Sequence, residues 1–130
     1  MRLFLVCLGG ALGSGLRYAI GLVAARFFGL LFPWGTLAVN LLGCFCISMV
    51  IALASPMDGS SPLVSTHARL FLTTGVMGGL TTYSAFNHEV LTLLQGSGWP
   101  RALLYVGLTL LGCLALGALG AYAGRAVLGR

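Results

Sequence analysis

Apolar residues run through this chain in four long blocks, and the polar positions between and within them mark out its elements. The first block predicts a helix from about Leu3 to Phe28, with Gly9 and Gly13 at the small-x-x-x-small spacing that lets membrane helices meet backbone to backbone. Gly29 to Pro33 breaks the pattern, and Trp34, an interfacial anchor, opens a second helix ending near Ala54. Pro56, Asp58, Gly59, Ser60, Ser61 and Pro62 make Ser55 to His67 the one long polar connection, a loop outside the apolar layer. A third helix is expected from near Ala68 to near Gln95, broken by Gly75, Gly78 and Gly79 within about residues 75–80. After the turn Gly96-Ser97-Gly98, Trp99-Pro100 starts a fourth helix that runs to about Val127, proline being tolerated in a first turn.

Composition turns these blocks into membrane spans. Of 130 residues 58% are hydrophobic and 7% charged, and the mean hydropathy is +1.02, so polar side chains are too few to cover a water-facing globule. Each span needs about 20 apolar residues. The length therefore suits four spans in a single all-α domain over residues 1–130. The N-terminal block reads as the first of these helices and not as a cleaved leader, because its apolar pattern continues past Arg17 and no polar domain follows. Four helices lined with glycine, including Gly112, Gly117, Gly120 and Gly124 on the last, are expected to self-associate, with a dimer as the simplest form.

The net charge of +5 is all arginine, and Asp58 and Glu89 are the only acids. The arginines stand singly, mostly near helix ends where they reach lipid headgroups, and form no nucleic-acid patch. With four crossings, Arg2, Arg69, Arg125 and Arg130 lie on the side of the termini, against Arg26 and Arg101 on the other. So slight a split leaves both insertions open, and with them an antiparallel dimer about a two-fold axis in the membrane plane. Arg17 alone sits deep within a helix, where a cation must face water, an acid or helix-end carbonyls. It either draws anions to a vestibule or caps an unwound segment.

No nucleophile, base and orienting group stand at a recognisable spacing, so an enzyme is not expected. His67 and His88 lack the i, i+4 spacing of a zinc pair. Cys7, Cys44, Cys46 and Cys113 lie in apolar segments without a C-x-x-C motif and read as small packing residues. What the interior offers is donors. Thr36, Asn40, Cys44 and Ser48 recur every four residues on one face of the second helix, and Thr109 and Cys113 do so on the fourth. Hydroxyls on such faces ordinarily serve helix packing, bonding back to the preceding turn. An asparagine amide is costlier to bury, which points Asn40 to a functional or interfacial role.

The third helix adds Thr81, Thr82, Tyr83, Ser84, Phe86 and Asn87 directly after its glycines. Tyr83 and Phe86 are three apart and share a helix face; the ordinary reading is a core pair, yet ring edges are positive and can hold an anion. Ring edges, hydroxyls and an amide with almost no carboxylate nearby describe a lining for a small anion, and modest donors spread along a path let the ion leave. Glu89, one turn beyond Phe86, either lies near the mouth of that path or pairs with an arginine.

Three motifs in order carry a resemblance that covers the whole chain: Gly9-Gly-Ala-Leu-Gly-Ser-Gly-Leu-Arg-Tyr18, Trp34-Gly-Thr-Leu-Ala-Val-Asn40 with Gly43, and Gly75 through Phe86. The chain resembles the CrcB/Fluc fluoride channels. The resemblance implies a dual-topology, antiparallel homodimer of four-helix subunits in a bacterial inner membrane, exporting fluoride passively and so lowering its cytoplasmic toxicity. It implies a fluoride pathway through Asn40, Tyr83, Ser84, Phe86 and Thr109, with Thr36 and Thr82 beside it. It also implies a structural sodium ion between subunits, held by the backbone carbonyls of Gly78 and Thr81. This chain departs from the family pattern in Tyr83, where phenylalanine is usual, and its hydroxyl either donates to fluoride or obstructs it. It departs also in Ala85, in place of a small polar residue, and in Cys113, where a serine can occur. The competing class is a small multidrug or guanidinium antiporter, likewise a dual-topology dimer, but such a proton exchanger needs a carboxylate in its first helix, where this chain has Arg17.

Overall fold

A computed structural model of the chain describes residues 1–55, 61–96 and 98–129. Pro56, Asp58, Gly59 and Ser60 of the expected polar loop, Ser97 of the expected turn, and Arg130 lie outside the described residues. The described chain is helical throughout, with no strand. Helix α1 spans Arg2–Phe28, α2 Trp34–Ala54, α3 Thr66–Leu70, a π-helical turn Phe71–Met77, α4 Gly78–Leu80, α5 Tyr83–Gly96 and α6 Trp99–Val127. By length and composition α1, α2 and α6 are long and apolar enough to cross a membrane. Their leucines and phenylalanines largely face outward, Phe4 at 68% and Leu111 at 70% exposure among them. A continuous apolar exterior of this kind is unfavourable in water and suits lipid.

Local chemistry sets the ends of these elements. Gly29 and Gly98 adopt φ of 75° and 80°, backbone that only glycine takes readily, just after α1 and just before α6. Ser65 opens α3 by accepting from the Ala68 N–H at 3.2 Å, a side-chain cap on an otherwise unpaired donor.

Helices α2 and α6 make the largest contact and run parallel. Leu41, Phe45 and Met49 of α2 pass in step along Gly112, Gly120 and Gly124 of α6. Leu37 on α2, Phe86 and Leu93 on α5, and Ala102 and Tyr105 on α6 form the buried apolar cluster. Helix α1 lies against the π-turn and α4.

The glycines of the third segment act differently from expectation. A break was expected within residues 75–80, yet Gly75, Gly78 and Gly79 are all in helical backbone, and the chain leaves the helix at Thr81, with φ −79° and ψ 156°. The glycines serve close approach instead. A Cβ built on Gly75 would lie 3.0 Å from the Gly9 Cα, and one built on Gly9 would lie 2.7 Å from the Phe71 carbonyl oxygen. A Cβ on Gly79 would run into the backbone of Gly10. Missing side chains on both partners let α1 and the third segment touch main chain to main chain.

Candidate functional site

The interruption at Thr81 and Thr82 is held open from α2. Asn40, buried to 8% exposure, accepts from the Thr82 N–H at 2.9 Å through Oδ1 and donates from Nδ2 to the Thr82 carbonyl at 3.1 Å. Its amide thus gives the Thr82 N–H the partner that a continuous helix would have supplied, and adds a second donor to the Thr82 carbonyl, which as the cap of α5 also accepts the first bond of that helix. Thr82 then caps α5, its Oγ1 accepting from the Ala85 N–H at 3.2 Å. Gly43, one turn along α2 from Asn40, leaves room for the Thr81 side chain, whose hydroxyl donates back to the Met77 carbonyl at 2.9 Å.

This arrangement frees particular carbonyls. In a continuous helix the Gly78 oxygen would accept from Thr82 N–H and the Thr81 oxygen from Ala85 N–H, and both donors are diverted to side chains. Among the described residues no group of three or more His, Cys, Asp or Glu stands together. The oxygens on offer at the interruption are therefore main-chain and uncharged, a donor set that fits a hard monovalent cation.

Beside the interruption, α2, the π-turn, α4, α5 and α6 border an open cavity of about 540 Å³. It gathers Asn40, Thr82, Tyr83, Phe86 and Thr109 of the expected path, and no residue on its wall carries a charge. The Tyr83 and Phe86 rings lie 5.7 Å apart and tilted by 47°. Phe86 is buried and Tyr83 is 77% exposed, so the pair is a wall with one ring seated and one free. Thr109 is buried to 6% exposure, and its Oγ1 has no hydrogen-bond partner among the described residues. Thr109 borders this cavity, and a buried hydroxyl left unpaired costs about 1–3 kcal/mol, which marks it as a donor without a use in the packing of the single chain.

Thr36 and Glu89 belong to a neighbouring cavity of about 390 Å³, bordered by Pro33, Trp34 and His88. Thr36 Oγ1 donates to Glu89 Oε1 at 2.6 Å and Tyr105 OH to Oε2 at 2.6 Å. Tyr105 is wholly buried, its ring 5.2 Å from Phe86 and 5.4 Å from Phe32. Two hydroxyls thus fix the carboxylate beside the smaller cavity. Glu89→Leu strands both donors and should cost about 2–4 kcal/mol, whereas Thr36→Val, which leaves the Tyr105 bond, should cost about 1 kcal/mol. Thermal unfolding in detergent reads the difference, and equal losses would mean the carboxylate is held by something else.

Two expected site residues are not brought to either cavity. Arg17 is half-buried on α1 and lines neither. Ser84 is exposed and pairs its hydroxyl with that of Thr82 at 3.2 Å. The sequence reading missed Tyr105, although it stands four residues before Thr109 on the same face as Cys113. Cys44 and Cys113, read as packing residues, both line the larger cavity.

Comparison with known proteins adds an independent line. A family model described as "CrcB-like protein, Camphor Resistance (CrcB)" matches residues 4–121. The chain is 48% identical over 114 residues to the fluoride-specific ion channel FluC of Anaeromyxobacter dehalogenans, covering 88% of this chain and 87% of that one. It is 46% identical over 128 residues to a fluoride-specific ion channel FluC of Thermus thermophilus, covering 98% of each. With the protein of the same name from Sorangium cellulosum it shares 41% over 124 residues, 95% of this chain and 94% of that one.

Proposed function

The chain belongs to the CrcB family, and from that premise we propose that it is a multi-pass membrane channel, not an enzyme, conducting fluoride passively out of the bacterial cell across its membrane. The observation that carries this reading is Thr109, which borders a cavity without charge and holds a buried, unpartnered donor in Oγ1. Fluoride binds water tightly, so its path must replace that water with close donors, yet a fixed cation would hold the ion too long. Thr109, the Asn40 amide region and the ring edges at Phe86 are donors of suitable strength. Cation exchange by an antiporter is not favoured, since the relatives carry the channel name and the first helix holds Arg17 in place of an acid.

The finer architecture follows from the same reading. The π-turn, α3, α4 and α5 together make a fourth crossing, interrupted at Thr81–Thr82, and two copies insert in opposite directions and associate as a homodimer. The exposed apolar faces and the slight arginine bias support that arrangement. The Gly78 and Thr81 carbonyls of both copies would hold a structural sodium ion, which supplies a fixed positive charge at the centre of the dimer. Their loss of helical partners supports the assignment.

Purified protein in liposomes should release fluoride far faster than chloride, without a proton gradient, as read by ion-selective electrodes. Rapid chloride release, or fluoride movement strictly tied to proton counter-transport, would remove the channel reading.

A further inference from the structure

The donor face of α2 has a counterpart on α6 at a constant offset. Thr36 stands with Tyr105 at Glu89, and Asn40 with Thr109 on the cavity wall. One turn on, Cys44 and Cys113 continue the pairing at the same offset, both on the wall of the larger cavity. Beyond them a Cβ on Gly117 would lie 3.4 Å from Ser48 Oγ. At the third rung, therefore, the parallel helices place two cysteines opposite one another where the first two rungs carry hydroxyls and an amide. Both residues line the larger cavity and are half-buried, so a solute that enters it passes beside them.

We propose that Cys44 and Cys113 form a two-sulfur site for a soft divalent cation of the mercury(II) type, bound on the cavity wall next to Thr109. Thiolates select soft metals over the hard ions that oxygen ligands prefer. Two ligands on adjacent helices suit linear coordination, which needs no third residue. Charge decides between soft ions. On binding, two S–H bonds break, two metal–sulfur bonds form and two protons leave to solvent, with nothing oxidised or reduced. A divalent ion then leaves a neutral bis-thiolate, whereas a monovalent ion would leave a net negative charge in an apolar surrounding, which is costly. Cys46 is two residues from Cys44 on α2 and so faces away from it, and Cys7 stands exposed on α1. Neither completes a pair in this cavity.

The test is metal retention, with flux as a second readout that rests on the channel reading. Protein loaded with a mercuric salt and washed with excess monothiol should keep one equivalent of mercury per chain, measured by elemental analysis, because two sulfurs on one scaffold outcompete single ones. Cys44→Ser and Cys113→Ser should each lose it, while Cys7→Ser/Cys46→Ser should keep it. Retention by either of the first two, loss from the last, or stripping of the wild type by monothiol would overturn the site. In liposomes, mercuric ion should stop fluoride release by the wild type, and a dithiol should restore it. Cys113→Ser should show no mercury-induced change from its own starting rate. Failure of fluoride release before any metal is added would count against the channel and leave the retention result standing.

Discussion

Asn40→Asp should reduce fluoride release, per folded protein, by about three orders of magnitude. The substitution is isosteric, and the remaining oxygen keeps its place as acceptor for the Thr82 N–H, now 2.9 Å from Oδ1. On the other side, the Nδ2 that donates to the Thr82 carbonyl at 3.1 Å becomes an oxygen facing an oxygen. The wall of the larger cavity, which has no charged residue, acquires a negative one. A like charge about 4 Å from a passing anion costs about 4 kcal/mol at an effective dielectric of about 20, and about 1.4 kcal/mol is a factor of ten. Fluoride efflux from liposomes measures the loss. Flux within a few-fold of the wild type would place the ion's route away from Asn40.

Asn40→Leu separates the two roles of this amide. It brings no charge, but it leaves the Thr82 N–H without a partner and takes one of two donors from the Thr82 carbonyl, at about 1–3 kcal/mol for a buried group left unpaired. Its main effect should be on stability, because Thr82 is both the interruption and the cap of α5. Both variants disturb the segment that shapes the path, and only the aspartate variant adds a charge to the cavity wall, so the difference in flux between them reports the charge.

Much of the fold is legible because the relevant signals are local. Pro33 before Trp34 and Gly98 before Trp99-Pro100 mark where α2 and α6 begin, through fixed or permissive backbone that no tertiary contact needs to supply. Asn40, Phe86 and Thr109 stand out because polar or aromatic groups in apolar blocks are expensive unless used, and the structure gathers them around one cavity. The third segment was harder to read for a physical reason. A missing Cβ permits both a bend and a close neighbour, and sequence alone does not say which use Gly75 and Gly79 serve. Their partners, Gly9 and Gly10, are some seventy residues away. Glu89 was ambiguous for the same reason, since its two hydroxyl partners come from α2 and α6. The pairing of Cys44 with Cys113 depends on two helices being parallel and in one register, which appears only in three dimensions.

Gly13→Ala should be among the most damaging single-methyl additions in the chain, lowering the unfolding temperature sharply and abolishing fluoride release with it. The new Cβ would run into the Val76 carbonyl oxygen and stand 2.8 Å from the Leu80 nitrogen. Both obstacles are main chain, so no side chain can turn aside. Overpacking of this kind costs about 1–3 kcal/mol and occasionally more, well above the gain of up to about 1 kcal/mol that alanine offers a helix over glycine. The relaxation that remains is for α1 to move off the π-turn and α4, and that movement displaces the residues leading directly into Thr81 and Thr82. Gly9→Ala, one turn earlier and 2.7 Å from the Phe71 carbonyl oxygen, should act in the same direction. Because the two share a neighbour, their combined effect should fall short of the sum. Gly15→Ala is the control: its Cβ meets nothing within 4 Å in this chain, so it should fold at least as well as the wild type. If Gly13→Ala and Gly15→Ala unfold at the same temperature in detergent, the approach of α1 to the third segment is loose, and the glycines there have some other use.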